Sequence, residues 1–126
     1  MEENFRILSL DGGGTWSIIQ LLTLKEYYGS EAKGHTILQE YDLVIANSGG
    51  SIVLAALCCN WSLQETLSLF EEPDNVKQIF SRNRLYASYF PAFLSNVLGV
   101  GPKYSARKKY EAFKRFFPSL VNQSMK

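Results

Sequence analysis

Twice in its N-terminal half the chain drives a short apolar segment straight into glycines and then into helical spacing. The first instance is Ile7-Leu8-Ser9-Leu10 followed by Asp11-Gly12-Gly13-Gly14, and the second is Leu43-Val44-Ile45-Ala46 followed by Asn47-Ser48-Gly49-Gly50. An apolar run too short for a helix and bounded by glycine reads as a buried strand, so strands are predicted over Phe5 to Leu10 and Leu43 to Asn47. From about Thr15 to Tyr28 the period is helical, with Ile18, Leu21, Leu22 and Lys25 on one side and Gly29 as a natural stop. Glu31 to Gly34 is polar and predicts a connection. Ile52 to Cys59 is apolar on every side, which predicts a helix buried behind a sheet. Two strand, turn, helix units in succession point to an α/β fold with a parallel sheet and right-handed crossovers.

Downstream, Ser62-Leu63-Gln64-Glu65 has the form of a capping box and predicts a helix from Leu63 to about Glu71. Pro73 stops that helix or begins another, and Val76 to Phe80 predicts one more helical turn. Arg82 to Lys103 is irregular and predicts loops and short helices. From Ser105 the spacing is helical again, with Tyr110, Phe113 and Phe117 on one stripe and Arg107, Lys108, Glu111 and Lys114 facing water until Pro118. A chain of 126 residues suits one domain. An open parallel sheet needs more strands than the two that can be placed, so residues 1–126 are expected to be the N-terminal part of a single larger catalytic domain or an unusually short version of it.

Several function classes are disfavoured. A net charge of +1 gives no pull toward nucleic acid, and no apolar stretch reaches the roughly 18 residues of a membrane span. Met1-Glu2-Glu3-Asn4 lacks the basic start of a secretory signal, so a cytoplasmic location is expected. Cys58 and Cys59 are adjacent and poorly placed to bridge each other; they are expected to be reduced core thiols. With His35 as the sole histidine, no metal site and no cofactor are expected.

The two turns carry the chemistry. A serine hydroxyl is a weak nucleophile, so acyl transfer needs Oγ held in the open, a base within reach, and donors aimed at the developing oxyanion. A sharp strand-to-helix turn meets the first need, and small neighbours such as Ala46, Gly49 and Gly50 let the backbone crowd around Ser48. The amides at the following helix N-terminus point at the same place. Gly12, Gly13 and Gly14 could bring further amides to it. The plainer alternative makes Ser48 a helix N-cap and the glycines mere turn formers. Asp11 is expected to order its turn through bonds from its side chain to the backbone.

Asp11-Gly12-Gly13-Gly14 resembles the glycine-rich oxyanion-hole motif of the patatin-like phospholipases, and Tyr41-Asp42-Leu43-Val44 leading into Ser48 resembles their nucleophile elbow. Lys103-Tyr104-Ser105 with the helix after it resembles a later family segment. The resemblance covers nearly the whole chain but only the N-terminal portion of a typical family domain. It implies the parallel-sheet, three-layer fold of that family and a Ser-Asp dyad that cleaves lipid acyl esters, phospholipids included, without histidine. Ser48 is then the catalytic nucleophile, and Gly12, Gly13, Gly14 and Gly49 form the oxyanion hole. Ala46 stands where the family usually has glycine, and Trp16 and Ser17 where it usually has arginine and glycine. Asp11, Asp42 and Asp74 do not match the motif of the family's catalytic aspartate, so this chain alone is expected to be inactive.

Two other readings stand beside it. A catalytically dead lipid-binding or interaction domain would keep the fold without the dyad. Asp11-Gly12-Gly13-Gly14-Thr15 also resembles the first phosphate loop of sugar kinases with an actin-like fold, which would require the strand to return as a hairpin. The aromatic segment containing Tyr86, Tyr89, Phe90, Phe93 and Leu94 is read as core, with a cover over the acyl site or contact with a bilayer as the alternative. Arg107, Lys108, Lys109, Lys114 and Arg115 read as a solvated helix face, with peripheral attraction to anionic headgroups as the alternative.

Overall fold

The computed structural model describes residues 4–80 and 106–121. The readings made for Arg82 to Lys103, including Tyr86, Tyr89, Phe90, Phe93 and Leu94, and for Lys103-Tyr104-Ser105 lie outside the described residues.

Strand β1 (Ile7–Leu10) pairs in parallel with β2 (Leu43–Ala46), in the register Ile7 to Leu43 through Leu10 to Ala46. Between them the chain makes a 3-10 turn (Gly14–Ser17), helix α1 (Ile18–Tyr28) and the short helix α2 (Gly34–Leu38). After β2 come α3 (Ser48–Cys58), α4 (Leu63–Glu71) and α5 (Pro73–Ile79), then α6 (Ala106–Phe116) and α7 (Pro118–Val121). In-register parallel pairing makes both strands leave the sheet at one edge, where ligands gather in open parallel sheets. Asn47 N donates to Leu10 O at 3.1 Å, which extends the pairing into the two turns.

The strands alternate rather than being buried on both faces. Leu8, Leu10, Val44 and Ala46 face the helical core, whereas Ile7, Leu43 and Ile45 remain about half exposed. The continuous apolar character predicted double burial, but none of the described elements covers that second face. Leu21 and Leu24 of α1, Ile37 of α2, Val53, Ala56 and Leu57 of α3, Leu63 and Leu67 of α4, and Phe117 form the core cluster.

Local chemistry sets most helix ends. Gly29 closes α1 at a φ of 88°, and α5 starts with Pro73 at its first position. Asn60, at a φ of 59°, reverses the chain after α3, consistent with the tolerance of asparagine for left-handed backbone. The capping box of α4 is complete: Ser62 Oγ accepts from Glu65 N at 3.1 Å, and Glu65 Oε2 accepts from Ser62 N at 2.6 Å. That bond from Ser62 N, together with one from Lys33 Nζ, holds the Glu65 carboxyl down to about 2.

Several expectations are corrected. The connection at Glu31 to Gly34 leads into α2, whose position is fixed by Gly34 N donating to Trp61 O at 2.9 Å. In α1 the buried pair is Leu21 and Leu24, while Leu22 is exposed because α4 packs on the other side, where Lys25 Nζ donates to Gln64 Oε1 at 2.8 Å. In α6 Ala112 is buried and Tyr110 is exposed. Cys58 is exposed and Cys59 only half-buried, since they sit at the C-terminal end of α3 rather than in its packed middle.

Candidate active site

Ser48 is the first residue of α3 and is exposed. Its φ is 46°, a left-handed value that a residue with a Cβ rarely adopts. The N-cap position belongs to Asn47, in extended conformation and with no side-chain bond to the helix amides. Ser48 is therefore not a capping residue, and no side chain caps the amides of the first turn. Gly49 and Gly50 are buried because the elbow is pressed against the end of β1. A Cβ on Gly50 would run into Leu10 O and come within 2.9 Å of Asp11 O, and one on Gly49 would run into Gly14 O and Ser17 Oγ.

The glycine turn meets the elbow directly. A Cβ on Gly12 would lie 2.8 Å from Ser48 Cβ and would collide with Asn47 Oδ1, so only glycine fits there. Gly13 and Gly14 take φ values of 139° and 65°, a backbone course that favours glycine. The structure thus brings Ser48 together with Gly12, and Gly49 together with Gly14.

Two residues that sequence reasoning did not assign hold the turn from below. Ser17, fully buried, donates from Oγ to Asp11 O at 3.4 Å, and Gln20 Nε2 donates to the same carbonyl at 2.8 Å. Asp11 therefore organises the turn through its main-chain carbonyl, and among the described residues its side chain accepts from Ser9 Oγ at 3.3 Å. Ser17 and Gln20 fall one turn apart or less on the helical entry, which is the only sequence signal they carry. Trp16, at 72% exposed, points away from the packed side.

The acidic and imidazole groups have other partners. Asp42 Oδ2 accepts from Arg6 N at 2.7 Å, and Asp74 pairs with Lys77 at 3.6 Å. His35 lies in α2, with Nε2 2.9 Å from Cys58 O. That carbonyl is at the opposite end of α3 from Ser48, roughly 15 Å away at 1.5 Å per residue, so His35 is not a base for Ser48. Among the described residues no group of three or more His, Cys, Asp and Glu side chains is gathered as a metal site would be, and no helix is long and apolar enough to cross a membrane. The strand β1 does not return as a hairpin, as a sugar-kinase phosphate loop would require; it passes through the 3-10 turn into α1 and pairs in parallel.

Ser48 also lines a cavity of about 120 Å³ whose other walls include Ile52 from α3, Ile79 and Phe80 at the end of α5, and Ala112 and Phe116 from α6. Apart from Ser48 and Lys109, the residues that line this space are apolar.

The family described as patatin-like phospholipase matches residues 8–122. Among curated proteins, "Patatin-like phospholipase 1" of Plasmodium falciparum (isolate NF54) is 30% identical over 122 residues, an overlap of 88% of this chain and 17% of the relative. The chain thus spans under a fifth of the length of that relative. No solved structure gives a significant match.

Proposed function

The chain belongs to the patatin-like phospholipase family, and on that premise we propose that it is the N-terminal part of a serine lipid acyl hydrolase. Ser48 Oγ attacks the ester carbonyl carbon and gives its proton to a base. The bond to the alcohol breaks, the alcohol leaves with that proton, and water then hydrolyses the acyl-serine to release the acid. Amides of Gly12, Gly13, Gly14 and Gly49 stabilise the oxyanion, a contribution of roughly 3 to 4 kcal/mol for a single donor. We place the general base, an aspartate, downstream of this chain, because each of its own three carboxylates of that type is engaged with Ser9, Arg6 or Lys77.

The observation that carries this reading is the elbow itself: a left-handed, exposed serine at a strand-to-helix junction, in contact with a glycine turn from the neighbouring parallel strand. A serine serving only to cap a helix has no need of that backbone.

Fluorophosphonate labelling tests it, using the protein as it occurs, its Ser48→Ala variant, and residues 1–126 alone. Labelling that needs Ser48 and is lost in the short chain supports a hydrolase whose base lies downstream. A folded protein without Ser48-dependent labelling supports instead a binding domain that kept the fold and not the dyad.

A further inference from the structure

We propose that Ser17 and Gln20 are positioning residues: by holding the Asp11 carbonyl turned into the fold, they present the Gly12 N–H on the side of Ser48. This rests on the reading of Ser48 as nucleophile and of the glycine turn as its oxyanion hole, and it names what aims one of the donors.

Asp11 O is enclosed from two directions. Gln20 Nε2 of α1 donates to it at 2.8 Å, and Ser17 Oγ, at the entry to that helix, donates at the longer distance of 3.4 Å. From α3, a Cβ on Gly50 would come within 2.9 Å of the same oxygen. The Asp11–Gly12 peptide is trans, and in a planar trans peptide the C=O and the N–H point in opposite directions. A carbonyl drawn toward Gln20 and Gly50 therefore turns the Gly12 N–H away from both. Gly12 is also the glycine that touches the elbow, since a Cβ there would lie 2.8 Å from Ser48 Cβ. Rotation of this peptide turns on the φ of Gly12, where glycine offers little resistance, so bonds to the carbonyl are what fix its direction.

Gln20 holds its place at a cost to stability. Among the described residues its Oε1 is buried without a hydrogen-bond partner, and an unpaired buried acceptor destabilises a fold. Turning the amide over would set Oε1 against Asp11 O, acceptor against acceptor, so the carbonyl's need for a donor decides the orientation. Ser17 is fully buried, and its Oγ lies between turn and elbow: it bonds Asp11 O and leaves no room for a Cβ on Gly49. Ser17 stands where the family usually has glycine, so this hydroxyl belongs to the chain and not to the family pattern.

The test uses the protein as it occurs and three variants: Gln20→Met, which keeps the length of the side chain while removing both the bond and the orphaned oxygen, Ser17→Ala, and the two together. Folding is followed by circular dichroism and urea unfolding, and Gln20→Met should unfold near the parent's midpoint. The maximal rate of fluorophosphonate labelling should fall about tenfold in Gln20→Met, less in Ser17→Ala, and about a hundredfold in the double variant. The half-saturating concentration of the reagent should not change. A second arm reads the peptide itself in the Ser48→Ala background. Labelling aspartate at the carbonyl carbon and glycine at nitrogen selects Asp-Gly peptides by NMR; residues 1–126 contain one, Asp11-Gly12, and its peak is the one that Gly12→Ala removes. Butylphosphonate, a tetrahedral anion, should shift this peak, and the shift should shrink with Gln20→Met. A maximal rate unchanged by the variants, with the peak moved, overturns the positioning role and leaves the nucleophile standing. A fall in rate with a matching rise in half-saturating concentration and a lowered urea midpoint marks packing alone and also overturns it. Absent Ser48-dependent labelling, together with a phosphonate shift that is lost in Gln20→Met, overturns the nucleophile and keeps the aimed amide. A peak at one position in parent and variants overturns the hold on the carbonyl.

Discussion

Replacing Ser48 by glycine should leave the protein as stable as before or make it more so, although the change deletes a side chain and introduces glycine into a helix. The reason is the φ of 46° at Ser48. A Cβ in left-handed backbone costs about 1 to 2 kcal/mol, and its removal lifts that cost. Glycine's extra freedom in the unfolded chain takes back about 0.5 to 1 kcal/mol. The difference lies between zero and about 1.5 kcal/mol in favour of the variant, up to roughly 5 °C in Tm for a chain of this size. Ser51 supplies the control: it is exposed, three residues further along α3, and is not among the residues of positive φ. Ser51→Gly should therefore destabilise by about 0.5 to 1 kcal/mol. Ser48→Ala keeps the Cβ and the strain, and should match the parent. Urea unfolding followed by circular dichroism, with all variants under one buffer, reads the signs directly. If Ser48→Gly destabilises as much as Ser51→Gly, the elbow stores no strain and the argument for a held nucleophile loses its physical basis.

Other expectations follow from the same contacts. In Gly12→Ala the new Cβ, 2.8 Å from Ser48 Cβ, must push the glycine turn off the elbow; Ser48 labelling should fall about a hundredfold with a stability loss of about 1 to 3 kcal/mol, and labelling at the parent rate would contradict the packing. Gly34→Ala would bring a Cβ to 2.6 Å from the carbonyl carbon of Leu57, and because backbone cannot rotate aside, the loss in urea unfolding should reach about 3 kcal/mol. Glu65 has a carboxyl pKa of about 2 in place of its ordinary 4.5. A value lower in the folded than the unfolded state stabilises fully above about 4.5 and is lost as pH falls toward 2. The Tm difference between the parent and Glu65→Gln should shrink across that window, and a pH-independent difference would mean that the ionised carboxylate contributes nothing.

Short-range chemistry made much of this molecule readable from its residues. The capping box of α4 joins atoms three residues apart, Gly29 and Pro73 act on their own backbone, and α4 falls at Leu63–Glu71 as the spacing predicts. The parallel pairing is nearly as local in origin, since two strands separated by a helix have few other ways to bury their apolar faces. Its register then brings the two glycine turns to one edge.

What the sequence left open are choices between equally apolar alternatives and bonds to backbone atoms far along the chain. Helix α1 carries Ile18, Ile19, Leu21, Leu22 and Leu24, so periodicity cannot say which side is inward; the packing of α4 decides it. Ala112 in place of Tyr110 is likewise settled by where α6 docks, and that docking brings Phe116 to line the same cavity as Ser48. The support of the glycine turn by Ser17 and Gln20 ends on the carbonyl of Asp11, an acceptor that every residue possesses and that no residue type can announce. The sequence by itself determined the two glycine turns, the α4 cap and the alternation of the two strands with the longer helices, because these depend on side chains acting on adjacent backbone. Only the tertiary structure decided which faces are buried and what surrounds Ser48, because those depend on where distant elements come to rest.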